Sequence, residues 1–216
     1  MHISTLLPAF AALALANKAP AYKSQYTVAN YDDITVVPAV PAANNLGTYK
    51  GLKYTAFATN QALDVTGVAT KSPMNNIVSG VQQTALAGAE AGFAIAGDSK
   101  YFDLKSLYYG CSVNTAEGAA GLPQACTINV RGYRKTTDTN PVASKQLTFT
   151  PKLTQVLAQP VKATFGRSFT GLQKVEIVQI ESTSGEALNV IVLDDVAYNL
   201  YTPAAKAPKA PKGYGY

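Results

Sequence analysis

Leu188-Asn189-Val190-Ile191-Val192-Leu193-Asp194-Asp195-Val196-Ala197-Tyr198-Asn199-Leu200-Tyr201 is the stretch whose pattern decides the fold class. Leu188, Val190, Val192, Val196 and Tyr198 recur at period two, the repeat of a strand with one buried face. Asp194 shares that face if the alternation runs without a bulge, so its carboxylate points inward and needs a partner. A second acidic pair stands near the other end, in Asn30-Tyr31-Asp32-Asp33-Ile34. In a sandwich whose first and last strands lie side by side, the two pairs meet at one edge of one domain.

Other segments repeat the strand pattern. Tyr26-Thr27-Val28 and Ile34-Thr35-Val36-Val37 are β-branched and flank the first acidic pair, and the stretch from Tyr49 to Phe57 places aromatic and apolar residues at strand spacing. Tyr101 to Tyr109 and Cys126 to Tyr133 read as strands, the second with Ile128 and Val130 on one face and Thr127, Asn129 and Arg131 on the other. Gln146 to Thr150, Val161 to Phe165 and Leu172 to Ile180 are further candidates. Ser72-Pro73 to Gly80 reads as a loop, because Asn75-Asn76 tolerates left-handed turns. In Val81 to Ala96, Gly88, Gly92 and Gly97 break an alanine-rich run, giving loop or short helix first and a strand over Gly92 to Ala96. About eight strands separated by Gly, Pro and Asn turns predict an all-β antiparallel sandwich of jelly-roll type.

Leu6 to Ala16 is a short apolar run ending in Ala14-Leu15-Ala16, the small-x-small pattern of a signal-peptidase site. Residues 1–16 therefore read as a secretory signal peptide, Asn17 to Gln25 as a flexible lead-in, 26–201 as the domain, and 202–216 as a low-complexity Lys/Pro/Ala tail. No other stretch approaches the ~18 apolar residues of a membrane span. Cys111 and Cys126, the chain's two cysteines, suit a disulfide in an oxidising compartment, and such a loop stabilises a fold by about 3 kcal/mol. The chain's single histidine is His2, within the signal segment, so Ser-His-Asp and Cys-His catalysis and histidine-ligated metals are excluded. Three of the five net positive charges belong to Lys206, Lys209 and Lys212, which leaves the body without a nucleic-acid footprint.

Tyr49-Lys50-Gly51-Leu52-Lys53-Tyr54, Phe102 to Cys111, Cys126-Thr127-Ile128 and Leu193-Asp194-Asp195-Val196 occur in that order. The set resembles a group of small secreted proteins of filamentous fungi that look like galactose-binding-type jelly rolls. The closing Leu-Asp-Asp-Val also resembles the last strand of jelly-roll carbohydrate-binding modules. There, a carboxylate at this place and an acidic residue near the N-terminus hold a structural calcium. The resemblance implies Asp32 or Asp33 with Asp194 or Asp195 as calcium ligands, four carboxylates supplying the anionic part of an oxygen shell. Such modules usually stack sugars on tryptophan, and this chain has none.

Tyrosine can take that part, stacking on a sugar ring while its hydroxyl bonds to sugar oxygens. Tyr101, Asp103, Lys105 and Tyr109 would share one strand face, with Arg131 and Tyr133 on the strand after the disulfide loop, forming a polar-aromatic groove for a glycan. Asp103, Glu117, Glu176 and Glu181 are available for acid–base chemistry, but no spacing marks a glycosidase pair. The expectation is a secreted, non-catalytic binder of a cell-wall or host polysaccharide that requires no cofactor. Binding of an extracellular protein in an apoplastic effector-type role is the alternative, and a histidine-free carbohydrate-active enzyme the third.

Overall fold

A computed structural model describes residues 21–36, 45–61, 67–114, 120–152, 156–182 and 189–204. Residues 1–16, read from the sequence as a signal peptide, lie outside these residues, as do Asn17 to Pro20, Glu117 and residues 205–216.

Besides a short 3-10 helix (Arg167–Phe169), thirteen strands and one α-helix follow in chain order among the described residues. They are β1 (Tyr22–Ala29), β2 (Thr48–Tyr49), β3 (Leu52–Thr55), β4 (Ala58–Gln61), β5 (Asn75–Ser79), α1 (Val81–Ala87), β6 (Ala91–Ile95), β7 (Tyr101–Asn114), β8 (Ala120–Pro123), β9 (Cys126–Tyr133), β10 (Ala143–Phe149), β11 (Val161–Thr164), β12 (Lys174–Ser182) and β13 (Asn189–Pro203). The first sheet runs β11-β7-β13-β5-β4, with β1 added to β13 and β8 to β7; the second runs β10-β9-β12-β6-β3-β2. Every pairing is antiparallel.

The eight principal strands β5, β6, β7, β9, β10, β11, β12 and β13 give one sheet β5-β13-β7-β11 and a facing sheet β6-β12-β9-β10. Apart from the β9–β10 hairpin, each principal strand crosses to the opposite sheet at its connection. That is the double Greek key of a jelly roll, as the alternation predicts. Between the sheets lie Leu52, Phe93, Phe102, Leu104, Ile128 and Val130, all at most 1% exposed. A chain of rings, Tyr31–Tyr54–Phe93–Phe102–Tyr198, crosses this core with neighbouring centroids 5.5 to 6.2 Å apart. The Cys111–Cys126 disulfide, with Cα atoms 6.2 Å apart, ties β7 of the first sheet to β9 of the second.

Several local expectations change. The lead-in ends earlier than expected, because Tyr22 to Gln25 pair with Pro203 to Leu200 as the start of β1. Thr202 and Pro203 belong to that ladder and not to the tail. Ile34 to Val36 form no strand; Asp32 to Ile34 make a turn after Tyr31, whose φ is 64°. The stretch from Tyr49 to Phe57 contains a hairpin, because Lys50 (φ 44°) and Gly51 (φ 82°) form a two-residue loop of positive φ.

The Asn75–Ser79 segment is not a loop but β5, buried at all five positions. Its asparagines act as internal donors and acceptors. Asn75 Nδ2 donates to the carbonyls of Tyr31 and Ile34, and Asn60 Nδ2 donates to Asn76 Oδ1. The Val81 to Ala96 reading holds, with α1 ended by Gly88 in the left-handed conformation at φ 60°. Among the described residues, no helix is long and apolar enough to cross a membrane.

Candidate ligand-binding face

The two acidic segments do come together. Ala29 pairs with Val196, so the turn after β1 and the middle of β13 lie at the same place. There β13 bulges: Asp195 has φ 45°, and the register with β7 slips between Asp194 and Ala197. The unbroken alternation expected of this strand is therefore corrected. Val196 and Tyr198 face the other sheet, whereas Val192 and Asp194 face the outer side, beneath the segment that enters β5. Asp194 is still only 1% exposed.

Its carboxylate accepts the backbone N–H of Lys71 at 2.6 Å, of Asp195 at 2.7 Å and of Ser72 at 3.2 Å, with Ser72 Oγ at 3.3 Å. Burial pushes this carboxyl up to about 7, against the pull of the Lys71, Asp195 and Ser72 amides. Asp32 accepts from the Asn30 amide and from the backbone N–H of Asn75. Asp33 accepts from the Tyr49 hydroxyl, the main influence holding its carboxyl below the ordinary value. Among the described residues, no three His, Cys, Asp or Glu converge on a common point. In the arrangement seen, Asp194, Asp32 and Asp33 accept N–H and O–H donors of the protein itself. Asp194 and Asp32 clasp the 71–75 segment onto the middle of β13 and the turn after β1.

The six residues expected to line one groove are divided among three places. β7 bulges opposite the β13 bulge: Ser106 pairs with Ala197 and Leu104 with Tyr198, so Lys105 is the extra residue. A one-residue slip exchanges the faces. Tyr101 and Asp103 face outward, but Tyr109 points into the core, 3% exposed, with its hydroxyl donating to the Thr148 carbonyl. Arg131 and Tyr133 stand on β9, on the outer side of the second sheet, across the sandwich.

On that second sheet Tyr133 donates its hydroxyl to Glu176, and Lys174 bridges to Glu176 at 3.0 Å with its ammonium 4.1 Å from the Tyr133 ring centroid. Burial, then the Glu176 carboxylate, pushes Tyr133 up to about 12. Burial alone would raise Glu176, but the Tyr133 and Lys174 hydrogen bonds and the Lys174 and Arg131 charges hold it below its ordinary value. Beside this cluster Gly92 and Ala94 floor a hollow of about 260 Å³. Lys174 and Glu176 on its rim pair with each other, and Tyr133 is only 2% exposed, so this cluster presents no open tyrosine ring to a ligand.

The outer face of the first sheet does. Tyr201 of β13 pairs with Tyr101 of β7 on one side and Ser24 of β1 on the other. Tyr101 and Tyr201 stack with centroids 4.4 Å apart, and Tyr22 meets Tyr101 edge-on at 5.4 Å. Tyr26 continues the row on β1; Tyr22 and Tyr26 are 41% and 64% exposed. Next to the rings, Asp103 accepts from Gly171 N at 2.8 Å, Tyr201 Oη at 3.0 Å and Lys105 Nζ at 3.4 Å. This network holds Tyr201, on which Tyr101 stacks. Of the six residues expected in one groove, Tyr101 and Asp103 lie on this face; Tyr22, Tyr26 and Tyr201 beside them are not among those the sequence singled out. The alternation Tyr22-Ser24-Tyr26 was the available signal, lost when the strand was started at Tyr26.

The chain is thus an antiparallel jelly roll that presents a polar-aromatic sheet face. No family model matches it, and no curated protein matches it. Among solved structures it shows a distant likeness to the K2 cleaved adhesin domain of Lys-gingipain, at 12% identity and a TM-score of 0.43, covering 81% of this chain and 99% of that one. A Nora virus structure matches at 16% identity and a TM-score of 0.20, over 75% of this chain and 61% of that one. Neither likeness is strong enough to bear on what this chain does.

Proposed function

We propose that this protein is a secreted, non-catalytic binder that holds a polysaccharide across the outer face of its first sheet. The observation that carries the reading is the cluster of Tyr22, Tyr101 and Tyr201 on an open sheet face, braced by Asp103. Rings presented this way stack on the C–H faces of sugars, and their hydroxyls reach sugar oxygens. Burial, then the neighbouring Tyr201, Tyr22 and Asp103, keeps the Tyr101 phenol above its ordinary value, so it stays a neutral hydrogen-bonding group. The disulfide and the N-terminal apolar run support an extracellular setting. Catalysis finds little support, since Asp103 and Glu176 lie on opposite faces and are each engaged by their neighbours.

Retention of the mature protein on insoluble cellulose, xylan, chitin and β-1,3-glucan, and on immobilised polygalacturonate, tests the reading. Wild type is retained by one polymer and leaves its chain length unchanged. The Tyr101→Ala and Tyr201→Ala variants, checked for folding by near-ultraviolet circular dichroism, are released. Retention of both folded variants at the wild-type level would overturn the assignment of the face. Failure of wild type on every polymer would overturn the glycan reading in favour of a protein partner.

A further inference from the structure

We propose that the polysaccharide held by this face is anionic, its carboxylates gathered by Lys71 and Lys162 on either side of Tyr108. The inference rests on the glycan reading above and names the substrate class.

The outward positions of β7 run from Tyr101 through Asp103 and Ser106 to Tyr108, a strip of about 20 Å at strand spacing. One end is the tyrosine cluster. The other end is basic. Lys162 of β11 pairs directly with Tyr108, and its ammonium lies 5.7 Å from the ring centroid. Lys71, from the segment clasped by Asp194, brings a second ammonium to 5.3 Å from the same ring. Both lysines are exposed and Tyr108 is partly so.

Two cations over one ring repel each other, and the ring's quadrupole offsets this only in part. Local carboxylates do not neutralise them. The ion pairs among the described residues are Lys105–Asp103 and Lys174–Glu176. Asp103 and Asp194 are 8% and 1% exposed and already engaged by N–H and O–H donors. Asp195, at the bulge, is the partly exposed carboxylate of this region. A ligand that stacks on tyrosines at one end of the strip and delivers a carboxylate at the other complements both. A polymer of uronic acids has those two features on each residue, whereas a neutral glucan leaves the lysines unsatisfied.

Polygalacturonate and its fully methyl-esterified form share a backbone and differ in charge, so they separate the two readings. Wild type should bind the acid form about tenfold more tightly than the ester, the worth of two partly screened charge pairs. Raising the salt should erase the difference. In the Lys71→Ala/Lys162→Ala variant, which keeps the Lys71 backbone N–H for Asp194, acid and ester should be held alike. Equal binding of acid and ester by wild type, or undiminished discrimination by the double variant, would overturn the anionic class and leave the tyrosine-face reading standing. Binding of neither polymer would overturn the anionic class as well, and the insoluble-polymer series then decides the tyrosine face by itself.

Discussion

Removing the Asp194 carboxylate tests how the acidic segments serve this fold. In Asp194→Ala the amides of Lys71, Ser72 and Asp195, at 2.6, 3.2 and 2.7 Å, lose their acceptor. A neutral hydrogen bond contributes about 0.5–1.5 kcal/mol, one to a charged group about 1.5–3 kcal/mol, and a buried donor left unpaired costs about 1–3 kcal/mol. Lys71 lies at an exposed position, where water can replace part of the loss. We therefore expect about 3–5 kcal/mol in all, or roughly 10 °C in Tm for a domain of this size. Calorimetry and urea titration of the disulfide-intact protein measure it. The loss should depend on pH. The carboxyl titrates near 7 in the fold, above its ordinary 3.8, so below about pH 4 its linkage contribution favours the fold fully. That contribution is lost as pH rises to about 7. The gap between wild type and variant is thus widest near pH 4 and narrows by pH 8. A Tm within about 2 °C of wild type would refute the clasp, and a gap that widens as pH rises would refute the burial-raised titration.

Removing the disulfide by Cys111→Ala/Cys126→Ala should cost about 3 kcal/mol in chemical denaturation, with the β-rich circular dichroism of the fold retained in the cold. Gly51→Ala should cost about 1–3 kcal/mol, because Gly51 sits at φ 82° and a Cβ there would come within 2.4 Å of Leu200 Cδ2; a neutral thermal shift would contradict the hairpin geometry. Tyr133→Phe deprives Glu176 of a hydrogen bond while burial remains, so the Glu176 carboxyl should titrate higher by NMR. Because that carboxyl is depressed in the fold, the stability it lends is present at neutral pH and lost as pH falls, and the variant should flatten that acid-side loss.

Strand existence was legible where burial is one-sided. β9 shows Ile128 and Val130 alternating with Asn129 and Arg131, and the second half of β13 does the same with Val196 and Tyr198. β5 was illegible for a physical reason. Asn75 and Asn76 carry the composition of a turn, yet here the Asn75 amide is spent inside the protein on the Tyr31 and Ile34 carbonyls, and Asn76 Oδ1 accepts from Asn60. Only the tertiary structure supplies those partners. The juxtaposition of the acidic pairs was legible because it follows from one assumption about the fold, that first and last strands pair. What those carboxylates bind was not, since the Asp194 donors include backbone amides some 120 residues away in sequence and the Asp32 donors include the backbone amide of Asn75.

The face assignments failed for a single cause. Val190 to Leu193 is apolar and buried at every position, and on the outer side Val68 lies over Gly110, the partner of Val192 on β7. A Cβ added at Gly110 would come within 2.7 Å of Val68. Beyond the bulges at Asp195 and Lys105 the outer cover stops, and the strands become one-sided with tyrosines outward. The bulges thus lie at the border between a covered and an open half of the same sheet, where a shift of register lets one strand serve both. Asp194 fastens the end of that cover, and Lys71 stands on the fastened segment over Tyr108. The clasp and the proposed anion site are therefore coupled. In Asp194→Ala, assayed well below its Tm, Lys71 is released while Tyr22, Tyr101 and Tyr201 keep their own network through Asp103. The preference for acidic over esterified polymer should shrink, with the tyrosine-dependent retention preserved; loss of both together would mean that the open half of the sheet is not independent of the clasp.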